Sequence, residues 1–309
     1  MKNQDTTPLR GVYAAVLTPV DDDLEPNKKA FIAHCRWLLA NGCDGLAPLG
    51  TTGEANSFSV AQRLALIETS AGAGLPMGKF ITGTGSCALA DAVALTKAAL
   101  AAGSGGALLL PPFYYKNPSE EGLFAFFSEV VQRVGDARLR LYLYHFPQMS
   151  AVPITASLIA RLKNAYGDVI AGLKDSSGDW NYSAKLLEEF PGFGVFSGSE
   201  QFLLANLRAG GVGCISATTN VTAPMAQAVY RAWQRPEAED LQKALTAARL
   251  ALQAFPFQGG LKELVAGMTG DRQWRNPLPP NRPLTAAQRD DMLARLHDMP
   301  GMRAILEPA

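Results

Sequence analysis

The chain has 309 residues, of which 48% are hydrophobic and 18% are charged. This composition is typical of a globular protein with a sizeable core and excludes an intrinsically disordered chain. Lysine plus arginine and aspartate plus glutamate each number 28, so the net charge is zero, and no basic stripe indicates binding to nucleic acid or to an anionic membrane surface.

The cysteines, the histidines and the beginning of the chain exclude further classes of protein. Cys35, Cys43, Cys87 and Cys214 form no CxxC pair, so we expect reduced, packed thiols and no disulfide framework. Three histidines without an HExxH motif give little support for a metal centre, and we expect no cofactor. Residues 1–8 are polar, and no run approaches 18 apolar residues. We therefore expect a cytoplasmic protein.

An apolar run followed by a stretch with helical spacing recurs eight times along the chain. The predicted strands are residues 11–20, 45–49, 79–82, 106–110, 139–144, 169–173, 194–196 and 212–215. The predicted helices are residues 27–40, 60–71, 89–101, 119–134, 155–164, 181–189, 200–208 and 224–233. Short, continuously apolar strands are typical of a parallel sheet covered on both faces. Eight units in a row favour a closed α/β barrel, the (β/α)8 TIM barrel, over an open doubly wound sheet.

The sequence after the eighth unit predicts a helical extension. Additional helices are expected at residues 237–255, 259–268 and 285–297, with an extended linker at 274–280 before the last of them. We expect two domains: a barrel with a short polar leader in residues 1–234, and a C-terminal helical extension in residues 235–309.

The apolar run at residues 169–173 ends in Lys174, and polar, glycine-containing sequence follows it. Burial disfavours the charged form of an amine, and a neutral amine can attack a ketone to form a Schiff base. Most lysines just past a strand are solvated, so this lysine alone is a weak indication. Barrel enzymes, however, carry their chemistry at the carboxyl ends of strands. The polar residues that fall there are Thr51, Thr52, Tyr114, Tyr115, Tyr144 and Lys174.

Two glycine-containing loops adjoin predicted strands, and each has two interpretations. In residues 50–54, glycines permit a tight backbone that leaves the amides and hydroxyls of Thr51 and Thr52 free to hold a small carboxylate. The alternative is an ordinary polar loop between a strand and a helix. In residues 210–216, glycine allows either close approach of the backbone to a ligand or tight packing of the barrel.

The tyrosines also allow two interpretations. Tyr144 ends the fifth predicted strand and is positioned to reach a ligand, whereas His145 points the other way and is interpreted as structural. A buried strand tyrosine is usually a core residue, but beside a Schiff-base lysine it is the natural proton shuttle. The aromatic loop at residues 111–118, with Tyr114 and Tyr115, predicts either a subunit contact or a wall of the active site.

Together these motifs resemble those of the dihydrodipicolinate synthase and N-acetylneuraminate lyase family of pyruvate-type class I aldolases. The resemblance extends from about residue 11 to residue 292, and it rests on the order and spacing of the motifs. The matching elements are residues 50–54, Tyr144 with Pro147, residues 172–175, Ser197 with Gly198, and residues 210–216.

The resemblance implies a homotetrameric barrel in which Lys174 forms a Schiff base with the keto carbon of pyruvate or of a longer 2-oxo acid. It implies that Thr51 and Thr52 hold the carboxylate, and that Tyr144 moves the proton during carbon–carbon cleavage or formation. Thr51 would link Tyr144 to a tyrosine of the neighbouring subunit, which matches Tyr114 best. The iminium nitrogen acts as an electron sink, so this chemistry needs no metal.

The resemblance also implies that Gly198 and the carbonyl of Ile215 line the pocket, and it has one departure. Dihydrodipicolinate synthases carry an arginine five residues after the catalytic tyrosine, where this chain has Met149. A methionine cannot form a bidentate clamp on a carboxylate, which favours an aldolase of 2-keto-3-deoxy sugar acids or similar hydroxy-2-oxo acids. Candidates to contact the hydroxyl tail of the substrate are Gln148, Ser176, Ser199 and Glu200, and Met149 is expected among the substrate-binding residues.

Alternatives to this aldolase stay open. A dehydratase of deoxy sugar acids would use the same iminium to expel water, and an assay for released pyruvate separates the two activities. A regulator that only binds a 2-oxo acid is disfavoured, because it would not need Lys174, Tyr144 and both threonines together. The synthase activity stays possible if another cation replaces the missing arginine.

Overall fold

The computed structural model describes residues 8–299 and 301–306, and within these residues eight parallel strands form one sheet. Strand β1 pairs with both β2 and β8, and a parallel bridge between Leu46 and Phe80 closes the ring between β2 and β3. The strands are β1 (Gly11–Ala14), β2 (Gly45–Leu46), β3 (Ile81–Gly83), β4 (Gly106–Leu109), β5 (Leu141–His145), β6 (Ile170–Asp175), β7 (Gly194–Ser197) and β8 (Gly213–Ser216).

Helices lie between successive strands on the outside of the sheet, so the fold is the predicted (β/α)8 barrel. The barrel helices are α1 (Lys28–Ala40), α2 (Val60–Gly72), α3 (Leu89–Ala101), α4 (Glu120–Val134), α5 (Pro147–Ser150), α6 (Ala156–Tyr166), α7 (Trp180–Glu189), α8 (Leu203–Arg208) and α9 (Thr219–Ala232). The helices after the barrel are α10 (Ala238–Gln253), α11 (Phe257–Thr269), α12 (Ala286–His297) and α13 (Arg303–Leu306).

Side-chain caps fix where several of these helices begin. At the start of α2, the Ser59 hydroxyl accepts a hydrogen bond from the Gln62 amide, and the Gln62 side chain accepts one from the Ser59 amide. At the start of α4, the Ser119 hydroxyl accepts from the amide of Gly122 at 3.1 Å. These bonds satisfy amides that have no partner within the helix. Gly135 then ends α4 in the left-handed conformation.

Aromatic side chains fill the interior of the barrel. Tyr142 packs edge-on against Phe196, with 5.8 Å between ring centroids, and its hydroxyl accepts a hydrogen bond from the Leu9 amide at 2.8 Å. Glycine on the neighbouring strands makes room for this ring, because a Cβ at Gly106 or Gly172 would lie 2.6 or 2.7 Å from it. The filled interior leaves space for a cavity only toward the carboxyl ends of the strands.

The C-terminal helices pack on the barrel through one apolar cluster. Leu17 and Ala217 of the barrel contribute to the same cluster as Leu252 of α10, Leu261 of α11 and Trp274 of the following segment. The contact brings α10 and α11 to the end of the barrel where the strands finish. The division into two domains at residue 234 stays a prediction.

Several predicted boundaries were wrong by a few residues. Strand β6 continues to Asp175, because this residue still pairs with His145 and Ser197, so Lys174 is not the last residue of its strand. Helix α9 begins at Thr219, five residues before the predicted start at Pro224. Buried side-chain hydrogen bonds hold this first turn. The Thr219 hydroxyl donates to the carbonyl of Tyr13 in β1 at 3.1 Å, and Nδ2 of Asn220 donates to the carbonyl of Ala15 at 2.8 Å.

Other differences concern short elements. Residues 200–202 form a tight 3-10 turn before α8, and the short helices α5 and α13 were not predicted. Each of the four cysteines lies in the described part of the chain and is free, and three are buried, as expected for packed thiols. Across the described ranges, none of the helices has both the length and the hydropathy that crossing a bilayer requires.

Candidate active site

A cavity of about 630 Å³ opens at the carboxyl ends of the strands. Its walls come from the loops after β2, β5, β6, β7 and β8, and from α10, α11 and the segment that follows α11. Among the described residues, the positively charged side chains that line it are Lys174 and Arg249. The cavity is therefore built jointly by the barrel and by the C-terminal helices.

Lys174 lies on β6 and is 4% exposed. It pairs in register with Tyr144 of β5, and its Nζ lies over the ring of that tyrosine, 4.4 Å from the centroid. In the part of the chain that the structure describes, no carboxylate lies within 4 Å of Nζ. Lys174 thus differs from Lys262, whose Nζ lies 2.7 Å from the carboxylate of Glu54.

Tyr144 connects the lysine to the loop after β2. Its hydroxyl lies 3.4 Å from Oγ1 of Thr51, and either group can donate the hydrogen bond. Its ring stacks against Phe146 with 5.9 Å between centroids. Tyr144 thus contacts Lys174 through its ring face and Thr51 through its hydroxyl, and all three residues line the cavity.

The loop at residues 50–54 follows β2 and is a tight turn. The amide of Glu54 donates to the Thr51 carbonyl at 3.1 Å. Gly53 packs against the chain that follows β1, because a Cβ at Gly53 would lie 2.7 Å from the Val16 carbonyl oxygen. Thr52, which is 8% exposed, and the half-buried Thr51 both line the cavity. The turn therefore presents its two threonines to the cavity and its glycine to the barrel.

The side chain of Glu54 anchors this loop to the C-terminal helices. It is fully buried and lies 2.7 Å from Nζ of Lys262, which is also fully buried. The same carboxylate accepts from the Leu278 amide at 3.3 Å and from Nδ2 of Asn281 at 3.1 Å. Lys262 could not be predicted from the sequence, because it lies 208 positions after Glu54 and no local pattern indicates the contact.

The loop after β6 is fixed by Asp175. One carboxylate oxygen accepts from the Ser177 amide at 2.8 Å, and the other accepts from the Ser183 hydroxyl at 2.6 Å. The Asp175 carbonyl accepts from the amide of Gly198 at 2.6 Å. A Cβ at Gly198 would lie 2.2 Å from Oγ of Ser176, so glycine is required for the two loops to meet at the cavity.

A second ion pair joins the cavity wall to the C-terminal helices. Nη1 of Arg249 lies 3.4 Å from Glu200 and 3.2 Å from the hydroxyl of Thr218, and its guanidinium covers the ring of Phe257 at 4.7 Å. Arg249 lines the cavity, whereas Glu200 is 0% exposed. Arg249 could not be predicted as a cavity residue, because nothing in its helical sequence context indicates that α10 packs over the end of the barrel.

Glu200 does not lie where the sequence analysis expected. The predicted contact with the substrate tail was wrong, because the carboxylate accepts hydrogen bonds from the hydroxyls of Ser216, Thr218 and Thr222. These donors and Arg249 surround the carboxylate beneath the cavity surface. Glu200 therefore holds the loop after β8 and does not face the cavity.

His145 lies outside the cavity. Its Nδ1 accepts a hydrogen bond from the Ile154 amide at 3.1 Å, and its ring stacks on Tyr182 with 4.1 Å between centroids. Burial lowers the pKa of His145, and the nearby carboxylate of Asp175 opposes this shift. The ring holds the segment before α6 against the barrel.

The structure brings most of the predicted site residues together. Ile215 is 0% exposed in the barrel interior, and Ala217 is the cavity-lining residue at that end of β8. Tyr114 is 73% exposed, packs edge-on against Tyr115, and does not line the cavity. The predicted residues that line the cavity are Thr51, Thr52, Tyr144, Gln148, Met149, Lys174, Ser176, Gly198 and Ser199.

The fold and this cavity define a (β/α)8 barrel enzyme. The sequence profile of the dihydrodipicolinate synthetase family matches residues 8–298, and the chain belongs to this family. The family consists of lyases of the class I aldolase type, so the chain is a lyase. Within the described ranges, no group of three or more His, Cys, Asp or Glu side chains is arranged to hold a metal ion.

Individual relatives agree with the family assignment. An uncharacterized DapA-like lyase of Chloroflexus aurantiacus is 37% identical over 272 residues, which cover 87% of this chain and 88% of that protein. The solved dihydrodipicolinate synthase of Agrobacterium tumefaciens is 32% identical and has a TM-score of 0.86, covering 94% of this chain and 99% of that one. YagE of E. coli, a prophage protein of the dihydrodipicolinic acid synthase family solved in complex with pyruvate, is 25% identical with a TM-score of 0.86, covering 94% and 98%.

Proposed function

We propose that this enzyme is a Schiff-base aldolase that cleaves or forms the carbon–carbon bond between pyruvate and an aldehyde. The substrate on the cleavage side is a 2-keto-3-deoxy sugar acid or a similar hydroxy-2-oxo acid. The observation that carries the proposal is Lys174, a buried amine without a carboxylate partner at the carboxyl end of a barrel strand. The pyruvate complex of YagE supports the choice of a 2-oxo acid.

The chemistry uses three groups that line this cavity: Lys174, Tyr144 and Thr51. The amine of Lys174 attacks the C2 carbonyl and expels water, which leaves an iminium. The bond between C3 and C4 then breaks, and its electron pair moves to the iminium to form an enamine. The proton of the C4 hydroxyl leaves through the Tyr144 hydroxyl toward Thr51, which frees the aldehyde. Protonation at C3 and addition of water release pyruvate.

The carboxylate of the 2-oxo acid fits the loop at residues 50–54. Thr51 and Thr52 line the cavity on a tight turn, where hydroxyl and amide donors can converge on an anion. Gly198 lines the cavity on the neighbouring loop, and its amide donates to the Asp175 carbonyl. We propose that the two threonines bind the carboxylate and that Gly198 forms the adjoining wall.

The distal part of the cavity fits an uncharged, hydroxylated tail. Amide side chains can both donate to and accept from hydroxyl groups, and aromatic faces cover the carbon skeleton. The residues of this part are Ser176, Gln148, Gln201, Gln253, Gln258, Asn281, Trp180, Phe202 and Phe257. Arg249 already has a carboxylate partner in Glu200, so it is not a free clamp for a second anion. Met149, which is 60% exposed, lies at the edge of this region.

Borohydride reduction in the presence of pyruvate tests the proposal directly. We expect a reduced pyruvate adduct on Lys174 of the wild type, located by mass spectrometry of its peptides, and none on a folded Lys174→Met variant. Methionine conserves much of the lysine volume, so the variant is a matched control for packing. A folded wild-type protein that traps neither pyruvate nor longer 2-oxo acids would disprove the Schiff-base function.

Products separate the aldolase from the alternatives. Release of pyruvate and an aldehyde identifies the aldolase, whereas loss of water without carbon–carbon cleavage identifies the deoxy sugar acid dehydratase. The synthase is a second candidate because the 4-hydroxy-tetrahydrodipicolinate synthase of Agrobacterium fabrum is 32% identical over 275 residues, covering 87% of this chain and 92% of that protein. The aldolase and the synthase differ in the aldehyde that they condense with pyruvate. We expect neutral hydroxyaldehydes to react faster than aldehydes that carry a carboxylate.

The proposal includes a cytoplasmic homotetramer in which Tyr114 completes the proton path of a neighbouring subunit. Its support in this chain is the exposure of the Tyr114 ring, which has no role in its own cavity. Sedimentation of the wild type gives the oligomeric state. We expect Tyr114→Phe to slow turnover while leaving the Lys174 adduct intact; a larger loss for Tyr115→Phe would assign the role to its neighbour.

A further inference from the structure

The buried ion pair between Glu54 and Lys262 lies directly behind the loop that carries Thr51 and Thr52. Both side chains are 0% exposed, and neither lines the cavity. Glu54 follows Thr52 by two residues, so any displacement of Glu54 displaces the turn that presents the two threonines. The pair therefore cannot touch a substrate, but it controls the position of residues that can.

Glu54 carries two local costs at this position. Its backbone is in the left-handed region with φ of 55°, which is unfavourable for residues other than glycine. Its charge is removed from water, and the desolvation of a buried ion pair can exceed the attraction between its members. An apolar pair would serve packing alone at least as well. Two such costs at one residue beside a ligand-binding loop point to a function in positioning.

The pair also joins two walls of the cavity. Lys262 lies on α11, whose first residues Phe257 and Gln258 line the cavity, and it also donates to the Asn276 carbonyl at 2.9 Å. The Glu54 carboxylate accepts from Asn281, which lines the cavity as well. One carboxylate thus holds the loop after β2 and the C-terminal segment in a single arrangement.

We propose that Glu54 and Lys262 are a positioning pair that sets the threonine turn at the distance from Lys174 that a 2-oxo acid requires. The inference rests on the proposed function, in which Thr51 and Thr52 bind the substrate carboxylate. The pair acts through that turn, so it governs recognition of the carboxylate and leaves the formation of the Schiff base itself to Lys174.

Exchange of the pyruvate methyl protons in D₂O tests the pair without knowledge of the aldehyde. The enamine forms by loss of a C3 proton and is requenched by solvent, so ¹H NMR at varied pyruvate concentrations gives KM and kcat. We expect Glu54→Gln and Lys262→Met each to raise KM about 10- to 100-fold, with a smaller effect on kcat. Acetone has no carboxylate, so it serves as the reference ketone. In both variants, the ratio of borohydride-trapped pyruvate to trapped acetone should fall about tenfold relative to the wild type.

A double variant separates positioning from stability. Glu54→Gln with Lys262→Met leaves no unpaired charge, so it regains thermal stability relative to the single variants, and we expect its KM to stay high. The matched control is a second ion pair of helix α11, in which the carboxylate of Glu263 lies 2.9 Å from Nε of Arg275 in the segment after the helix. Replacing both of these by glutamine should leave KM within about twofold of the wild type.

The outcomes distinguish the inference from the function on which it rests. If the wild type traps pyruvate and the double variant is folded with the wild-type KM, the pair serves stability only and the positioning role is overturned, while the proposed function stands. If the wild type traps no 2-oxo acid, both are overturned. A high KM in the double variant, with an unchanged control pair, establishes the positioning role.

Discussion

Lys174 and Lys262 are both buried, yet their surroundings differ. Lys262 lies 2.7 Å from the Glu54 carboxylate and also donates to a backbone carbonyl, so its charge is compensated. Lys174 has the face of Tyr144 at 4.4 Å and, within the described residues, no carboxylate within ion-pair distance. Because each partner compensates the other, removing one of them leaves a buried charge unpaired and destabilises the fold. An uncompensated amine contributes little to the fold and stays available to form a bond with a ligand.

The largest difference between the two lysines should appear in chemistry. Lys174→Met should lower the exchange of pyruvate methyl protons by more than about 10³-fold, because the nucleophile is lost. Lys262→Met should retain a rate within about tenfold of the wild type once pyruvate saturates. NMR measurement of both variants at high pyruvate makes the comparison. Substantial proton exchange by a folded Lys174→Met variant would contradict the chemical role of Lys174.

The same two variants should rank in the opposite order for stability. Lys262→Met leaves the Glu54 carboxylate buried without a partner, and we expect it to lower the free energy of unfolding by about 3–5 kcal/mol. Lys174→Met removes an amine without an ion-pair partner and conserves much of the side-chain volume, so it should change the same quantity by less than about 1 kcal/mol. Urea denaturation followed by circular dichroism measures both. Equal losses of unfolding free energy in the two variants would contradict the conclusion that Lys262 has a charged partner and Lys174 does not.

His34 extends the comparison to a third buried base, with a smaller expected effect. Burial lowers the pKa of His34 from 6.5 to about 4, although its Nε2 lies 2.9 Å from Oδ1 of Asn220. Above pH 6.5 the ring is neutral in both states. Below pH 6.5, the His34 ring is protonated in the unfolded chain but stays neutral in the folded chain. The free energy of unfolding therefore falls by about 3 kcal/mol as the pH decreases toward 4.

Acid unfolding of a variant isolates this contribution. His34→Gln keeps a donor for Asn220 but does not titrate, so its free energy of unfolding should fall less than that of the wild type between pH 6.5 and 4. The difference between the two proteins removes the other titrating groups from the comparison. Parallel pH profiles would mean that His34 is protonated within the folded protein.

Much of the barrel and part of the site could be predicted because their signals are local. Alternation of apolar strands and amphipathic helices gave the (β/α)8 fold, and the rule that strand ends carry the chemistry brought Thr51, Tyr144 and Lys174 to one cavity. These inferences need only the order of elements along the chain. The positions of helix starts were less secure, as α9 shows, because buried side-chain hydrogen bonds there outweigh the local signal at Pro224.

The contribution of the C-terminal helices could not be predicted. Periodicity identifies the apolar face of a helix, but it does not show which charged residue pairs with which partner 208 positions away. For the same reason Glu200 was interpreted as a substrate contact, although Arg249 and three hydroxyls enclose it. The sequence therefore indicated residues that share one cavity, and it did not indicate the ion pairs behind the cavity walls.

The separation of Glu54 from Lys262 has a consequence for synthesis of the protein. At about 5–20 residues per second, the ribosome needs about 10–40 seconds to add the 208 residues between them. Until α11 emerges and docks, the Glu54 carboxylate faces water and the turn before it lacks its anchor. A nascent chain can thus complete all eight strands and still lack the wall of the cavity to which α11 contributes.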